Sequence, residues 1–438
     1  MNFPLILCVI AIVASIVLGN KFKVNIGIIA TCFAFLIGTL ALDLPANTIV
    51  GYWPDVIFFF FIACGLFFAP AVANGTVDRL GKNLLYLCKG KASLVPWVIF
   101  LVSIILCALG GSAALTVCAA LCFPVGMAAG LNPYMTATAI YTGGCIGCNN
   151  PFTGQQGVTI MNLIADSAGF VEEAPYWSMD VYLSRVAILV VIMVTIYFIT
   201  KSYKARTVEI DAPEQYTPVQ KKTLMLMIVA SVIMILSMVL YLVAGKKVHL
   251  FEVLYKCCQP QSIMFIAAFI AMFMKLAPAK EFMNRLPINT ALMIAGFSLL
   301  MGVSKAAGLI DFMGGLLGGN IPGWLFPAFC VLITGIMAMF CSGTAVVFPM
   351  LFPLVQPICA ASGASELGMI LGLTLGSLVS NFCPFTNGGA FMLAGCPDEE
   401  QKEKLTKQLL ILTFASLAIA IVFAMLGFLD LFDFAWSV

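Results

Sequence analysis

Apolar stretches recur along the chain at residues 3–19, 24–42, 55–77, 93–109, 115–130, 134–169, 181–200, 223–244, 261–278, 290–310, 321–339, 346–361, 365–395 and 406–432. Most approach the roughly 20 residues a helix needs to cross a bilayer. Two of them, 134–169 and 365–395, are longer and interrupted by Gly, Asn and Pro. They predict helices that break part-way, because proline removes a backbone donor and glycine tolerates non-helical backbone. Two close pairs, 93–109 with 115–130 and 321–339 with 346–361, are joined only by Leu109–Ala114 and Phe340–Ala345. Such uncharged joints make poor water-exposed loops and suit hairpins that turn back inside the membrane. The pattern predicts an all-α polytopic membrane protein with about ten full crossings, two re-entrant hairpins and two broken helices. Hairpins that crossed fully would leave the parity of the chain unchanged.

Composition narrows the class. Of 438 residues, 62% are hydrophobic and 10% charged, against roughly 45–50% and 25% in soluble domains. This excludes a soluble enzyme, a disordered chain and a disulfide scaffold, and predicts a multi-pass protein of the cell membrane. A net charge of +2 implies no nucleic-acid partner. The single histidine, His249, cannot form a histidine metal cluster. The 16 cysteines are scattered through apolar runs, where cysteine packs as a small hydrophobe. Cys145-x-x-Cys148 has zinc or redox spacing but lacks a second pair, so it reads as small-residue packing. No basic segment precedes the first apolar stretch, which is therefore read as a retained helix.

Lysine and arginine placement orients the chain. Lys21 and Lys23; Arg79, Lys82, Lys89 and Lys91; Lys201, Lys204, Arg206, Lys221 and Lys222; Lys275, Lys280 and Arg285; and Lys402, Lys404 and Lys407 all fall on one face, the cytoplasm. Asp43, Asp55, Glu172, Glu173 and Asp180 fall on the other, as do both termini. Lys246, Lys247 and Lys256 violate the rule. The polar segment 201–222 is a cytoplasmic linker dividing two halves, 1–200 and 223–438. An odd number of crossings in each half, about five, predicts two inverted repeats.

The repeat shows in residues. Gly75-Thr-Val-Asp78 matches Gly308-Leu-Ile-Asp311, Phe123-Pro124 matches Phe352-Pro353, and Pro151-Phe152-Thr153 matches Pro384-Phe385-Thr386. Gly75 to Pro151 and Gly308 to Pro384 are both 76 residues. At mid-membrane the unwound backbone needs partners, and an anion and a small cation can supply them. Candidate substrate ligands are Ser112, Thr116, Asn150, Thr153, Ser342, Gly343, Thr344, Asn381, Pro384 and Thr386. Candidate Na⁺ ligands are Gly111, Ser112, Gly147, Asn149, Ser342, Asn381 and Asn387. Packing alone accounts for any one of these small residues; a Pro/Asn/Thr/Gly cluster in both halves points to binding. Of the ionisable residues in apolar stretches, Arg185 reads as snorkelling, Asp166 as solvated and Glu366 as a helix-start charge. Lys305 reads as snorkelling, as a partner of Asp311 or as a counter-charge for substrate. No carboxylate lies near either motif, which favours Na⁺ held by neutral oxygens over proton coupling.

These motifs resemble the ion transporter superfamily, and within it the divalent anion–sodium symporters and, more closely, the malonate/dicarboxylate-carrier-like permeases. The resemblance covers nearly the whole chain. It implies an arm helix, a re-entrant hairpin and a broken helix in each half. It also implies Ser-Asn-Thr hairpin tips that bind substrate carboxylates and help to hold Na⁺. Here the second tip reads Ser342-Gly343-Thr344, the first departs further, and the breaks read Pro-Phe-Thr where many members have Pro-Pro-Asn. The resemblance implies a homodimer with a scaffold (1–92, 223–320) and a moving transport part (93–200, 321–438). The function implied is Na⁺-coupled symport of a small di- or tricarboxylate by an elevator motion, with Na⁺ as coupling ion and no cofactor. A cation/proton antiporter of the same fold or an H⁺-coupled carboxylate permease is the alternative. A channel of two hairpins is normally a shorter chain, and a membrane enzyme would need a nucleophile–base pair that the apolar segments lack.

Overall fold

The computed structural model describes residues 3–86, 92–204, 214–244, 248–309, 312, 322–394, 396 and 399–434. Among these the chain forms helices α1 (Phe3–Phe22), α2 (Ile26–Leu42), α3 (Ala46–Val50), α4 (Asp55–Ala73), α5 (Thr76–Leu85), α6 (Val95–Gly110), α7 (Ala114–Ala128), α8 (Pro133–Asn149), α9 (Gln155–Asn162) and α10 (Ala174–Ile199). The second half forms α11 (Pro218–Ala244), α12 (His249–Cys257), α13 (Pro260–Phe273), α14 (Ala279–Asn284), α15 (Ile288–Ala306), α16 (Phe326–Phe340), α17 (Phe348–Leu351), α18 (Val355–Ser362), α19 (Glu366–Ser380), α20 (Asn387–Ala394) and α21 (Glu399–Met425). Seven helical stretches among them are long and apolar enough to cross a bilayer, and an eighth if α12 and α13, bent by 52°, form one span. The protein is an all-helical multi-pass membrane protein. Lys89, Lys91, Arg206, Lys246, Lys247 and Asp311 lie outside the described residues.

Capping chemistry starts the helices where the sequence changes character. Asn25 accepts from the Gly27 amide at 2.8 Å and starts α2; Asn132 accepts from the Tyr134 amide at 3.0 Å and starts α8 at Pro133. Ser365 accepts from the Gly368 amide at 3.1 Å, so α19 begins at Glu366, as a helix-start charge requires.

Glycine decides how closely the helices pack. A methyl group on Gly296 of α15 would stand 1.9 Å from the Gly27 carbonyl oxygen of α2, and one on Gly27 would stand 2.1 Å from the Leu292 carbonyl oxygen. The first half and the second half therefore touch backbone to backbone here, where van der Waals contact replaces the hydrophobic effect that lipid does not supply. Asn25 reinforces the joint by donating to the Asn289 carbonyl oxygen at 2.8 Å. The same device fastens each broken helix to its hairpin. Gly143 and Gly147 of α8 face the Phe100 and Ile104 carbonyl oxygens of α6, so closely that a methyl group on either glycine would stand 2.3 Å from that oxygen. Gly372 and Gly376 of α19 face the Pro327 and Val331 carbonyl oxygens of α16 in the same way.

Helix α6 has 16 residues and α7 has 15. At 1.5 Å per residue each arm reaches about 24 Å at most, short of the ~30 Å hydrocarbon core. The second hairpin, α16 to α18, turns at Cys341–Ser342. Both turns lie against a broken helix, but the arms of the second hairpin, Gly323–Phe340 and Gly343–Ser362, are each long and apolar enough to cross the bilayer. The order hairpin, broken helix, long helix runs from α6 to α10 and recurs from α16 to α21.

The end of the central linker grips α5. The Asn83 amide donates to the Glu214 carbonyl oxygen at 3.0 Å, its oxygen accepts from the Glu214 amide at 3.0 Å, and Arg79 pairs with the Glu214 carboxylate. Helix α5 and the end of the linker therefore lie together on one face of the protein. Arg185 corrects the sequence reading: it does not snorkel but is 4% exposed, inside the protein.

Two outcomes test this architecture. Cysteines introduced at Glu214 and at Asp433, on a background without reactive native thiols, should be labelled by an impermeant maleimide from opposite faces; labelling from one face would break the five-crossing second half. Gly296→Ala should lower the melting temperature in detergent through overpacking worth about 1–3 kcal/mol. Gly51→Ala, where the nearest atom is 3.3 Å away, serves as the control.

Candidate functional site

The two breaks share Pro-Phe-Thr but are organised by different side chains. In the first, the Asn150 side-chain oxygen Oδ1 accepts from the amides of Phe152, Thr153 and Gly154 at 3.2, 2.8 and 3.1 Å and from the Thr153 hydroxyl at 3.1 Å. Its amide donates to the Gly147 carbonyl oxygen at 2.6 Å. One asparagine thus satisfies most of the backbone that Pro151 frees. In the second break, the Thr386 hydroxyl lies 2.8 and 2.7 Å from the Asn381 and Cys383 carbonyl oxygens and accepts from the Gly389 amide at 3.2 Å.

The hairpin tips are built to approach these breaks. Gly111 turns the first tip with φ of +61°, a conformation that side chains disfavour. Ser112 then donates to the Gln155 side-chain oxygen Oε1 of α9 at 2.8 Å. At the second tip, a methyl group on Gly343 would stand 1.8 Å from the Ser377 hydroxyl, so only glycine lets the tip seat on α19. The Ser342 hydroxyl accepts from the Ala345 amide at 3.2 Å and starts one π-helical turn, Gly343–Val347. The first amides of such a turn have no partner within it, and Gly343 and Thr344 line the space ahead of it.

That space is a cavity of about 440 Å³, inside the roughly 300–1,000 Å³ range of small-molecule sites. Its polar wall comes from Ser112, Tyr141, Gln155, Gln156, Thr159, Thr290, Ser342, Thr344, Asn381 and Thr386. Ile26, Phe61 and Met293 of α2, α4 and α15 close the other side. Among the described residues, the lining contains no carboxylate, lysine, arginine or histidine. A second cavity of about 260 Å³, reaching Arg285, shares Ser112 and Gln155 with the first, so their hydrogen bond stands between the two.

Of the sequence candidates, Ser112, Ser342, Gly343, Thr344, Asn381 and Thr386 meet at this cavity. Gly111, Gly147, Asn149, Asn150, Thr153 and Pro384 do not line it. Asn150 and Thr153 bond to each other and to their own break. Asn149 donates to the Cys145 carbonyl oxygen at 2.6 Å and accepts from Arg185. The side chains of Thr116 and Asn387 lie outside the described residues. Sequence reasoning missed Tyr141, Gln155, Gln156, Thr159, Thr290 and Phe385. A signal was available: with the two prolines aligned, Asn149 and Asn150 fall opposite Phe382 and Cys383, while Asn381 falls opposite Cys148. Cys148 and Asn381 both line the cavity.

Two variants separate lining from scaffolding. Thr344→Val removes a cavity hydroxyl and should weaken binding of a small anion about five- to a hundredfold while the melting temperature of the free protein holds. Thr386→Val removes a hydroxyl that also closes the break, so it should lower both. Ligand-dependent melting shifts measure the two effects, and a Thr344→Val protein that binds like the parent would move the anion away from the second tip.

Residues 1–148, from α1 to the last turn of α8, match the family model described as the dicarboxylate carrier protein MatC N-terminus. No curated protein sequence matches the chain. Among solved structures, the crystal structure of the Alcanivorax borkumensis YdaH transporter is similar, with a TM-score of 0.55 and 16% identity over 90% of this chain and 89% of that one. At this identity the likeness is one of fold. The chain is a multi-pass membrane protein whose fold resembles that of a solved transporter, and its first 148 residues resemble the dicarboxylate-carrier-like permeases, a pattern that runs through the first hairpin and up to the first break.

Proposed function

We propose that the protein is a secondary active carrier that symports a small di- or tricarboxylate with Na⁺ through an elevator motion. The observation that carries this reading is the cavity on which both hairpin tips and the second break converge, lined among the described residues by hydroxyls and amides without a carboxylate. Hydroxyl donors and the amide ends of the second tip suit carboxylate oxygens, and carbonyl and hydroxyl oxygens suit Na⁺. A proton relay would want a carboxylate in the wall. The dicarboxylate carrier pattern of the first 148 residues supports the substrate class.

The elevator reading draws on the cavity's two sides. Residues of α2, α4 and α15 form one wall, and those of the hairpins and broken helices form the other. The wall from α2, α4 and α15 belongs to the scaffold of 1–92 and 223–320, held by the Gly27–Gly296 contact. The hairpins and broken helices of 93–200 and 321–438 would slide against it as the transport part. We assign the two halves as inverted repeats and the working unit as a homodimer on the same grounds of recurring element order and family likeness.

In proteoliposomes, uptake of malonate, succinate or citrate should require Na⁺ on the substrate side and survive a protonophore. A rate that is equal in K⁺ buffer and abolished by the protonophore would replace Na⁺ with H⁺ coupling. No accumulation above the outside concentration would reject active transport.

A further inference from the structure

Among the described residues the cavity wall carries no cationic side chain, yet a guanidinium stands one residue behind it. Arg185 of α10 is 4% exposed. Its two terminal nitrogens donate to the Asn149 side-chain oxygen, at the last residue of α8, and to the Thr374 carbonyl oxygen of α19 at 2.9 Å. Its third nitrogen, Nε, is buried without a partner. The guanidinium lies 6.0 Å from the centre of the Phe348 ring, just beyond the second hairpin tip. Among the described residues no carboxylate lies within ion-pair distance of it. Asn149 is held in turn on the Cys145 carbonyl oxygen, and Cys145 and Cys148 line the cavity.

A buried charge without a counter-ion is costly in a membrane protein and marks function unless something offsets it. The negative end of the α8 dipole offsets part of the charge. That would suffice for a purely structural rivet between α10, α8 and α19, but a neutral donor would make the same two hydrogen bonds without burying a full charge. We propose that Arg185 is the fixed positive charge of the substrate site. It is a positioning residue that acts through Asn149 and the end of α8 to favour a doubly charged anion over a singly charged one. The inference rests on the carboxylate-carrier reading above. In the repeat register, Arg185 has Ala418 as its counterpart, so this charge belongs to the first half alone.

The test compares binding of malonate and succinate with that of their monoamides, by titration calorimetry and ligand-dependent melting in Na⁺ buffer. The parent and Arg185→Lys should prefer the dianions by roughly tenfold or more. Arg185→Gln removes the charge and should lose most of that preference. Asn149→Asp gives up the bond to the Cys145 carbonyl oxygen but sets a carboxylate against the guanidinium, neutralises it in place, and should lose the preference equally; it decides the matter if Arg185→Gln does not fold. Folded Asn149→Asp protein with the parent's preference would overturn the proposal, leaving Arg185 as a rivet and the carrier reading intact. A parent protein that binds none of the four compounds would overturn the carrier reading and this proposal with it.

Discussion

Every backbone donor and acceptor inside a membrane must find a partner within the protein, and two helices of this chain break there. The rest of the site follows from how those breaks are satisfied. A helix that ends at mid-membrane leaves amides and carbonyls facing inward. In the first break one side chain, Asn150, takes up three of these demands as acceptor and one as donor, and accepts from the Thr153 hydroxyl as well. In the second, the Thr386 hydroxyl bridges across the break, and Asn381 is left at the cavity wall. The first break is closed upon itself and the second faces the cavity.

This asymmetry explains why the hairpin tips differ. The first tip meets the sealed break through a side chain, Ser112 on Gln155, and needs a left-handed glycine, Gly111, to reach it. The second tip must leave room beside an open break. It sits directly on α19, with Gly343 against Ser377, and lines the cavity through Ser342, Gly343 and Thr344. Small residues on α8 and α19 do the opposite work on the outer side, locking each broken helix to its own hairpin by backbone contact. Each hairpin is thereby fastened to its own broken helix, and the contact between Gly27 and Gly296 fastens α2 to α15.

Much of this was legible in the sequence. The period of apolar runs placed the helices, and the uncharged joints at Leu109–Ala114 and Phe340–Ala345 marked the turns because no loop facing water would be so apolar. The repeated Pro-Phe-Thr placed both breaks. What the sequence did not reveal was which polar side chains face inward. Asn149, Asn150 and Thr153 have the right chemistry for ligands, but hydrogen bonds within the break compete for the same atoms, and a shift of one residue on a helix turns a side chain by about a quarter of a turn. Gln155 belongs to the same motif but is not among the sequence candidates; α9 turns it back toward Ser112. Arg185 was misread because its neighbours Asp180 and Ser184 look like the edge of a loop, whereas α10 begins at Ala174 and carries all three inward.

A wall of neutral dipoles has a consequence for how an anion and a cation could share the cavity in the carrier proposed here. Neither ion alone finds a full counter-charge in the described lining, so each must give up water for hydroxyls, amides and backbone ends that recover only part of its solvation. When both are present, each supplies the charge the other lacks, and in a low-dielectric site their attraction is much stronger than in water. Coupling then needs no switch that senses one ligand and signals to the other. It follows from the poor fit of either ion by itself, and a carboxylate in the wall would weaken it by solvating the cation alone. On this view the absence of acidic residues from the described lining is the property that ties the two fluxes together, and a buried guanidinium one residue behind the wall sets how much negative charge the shared complex can carry.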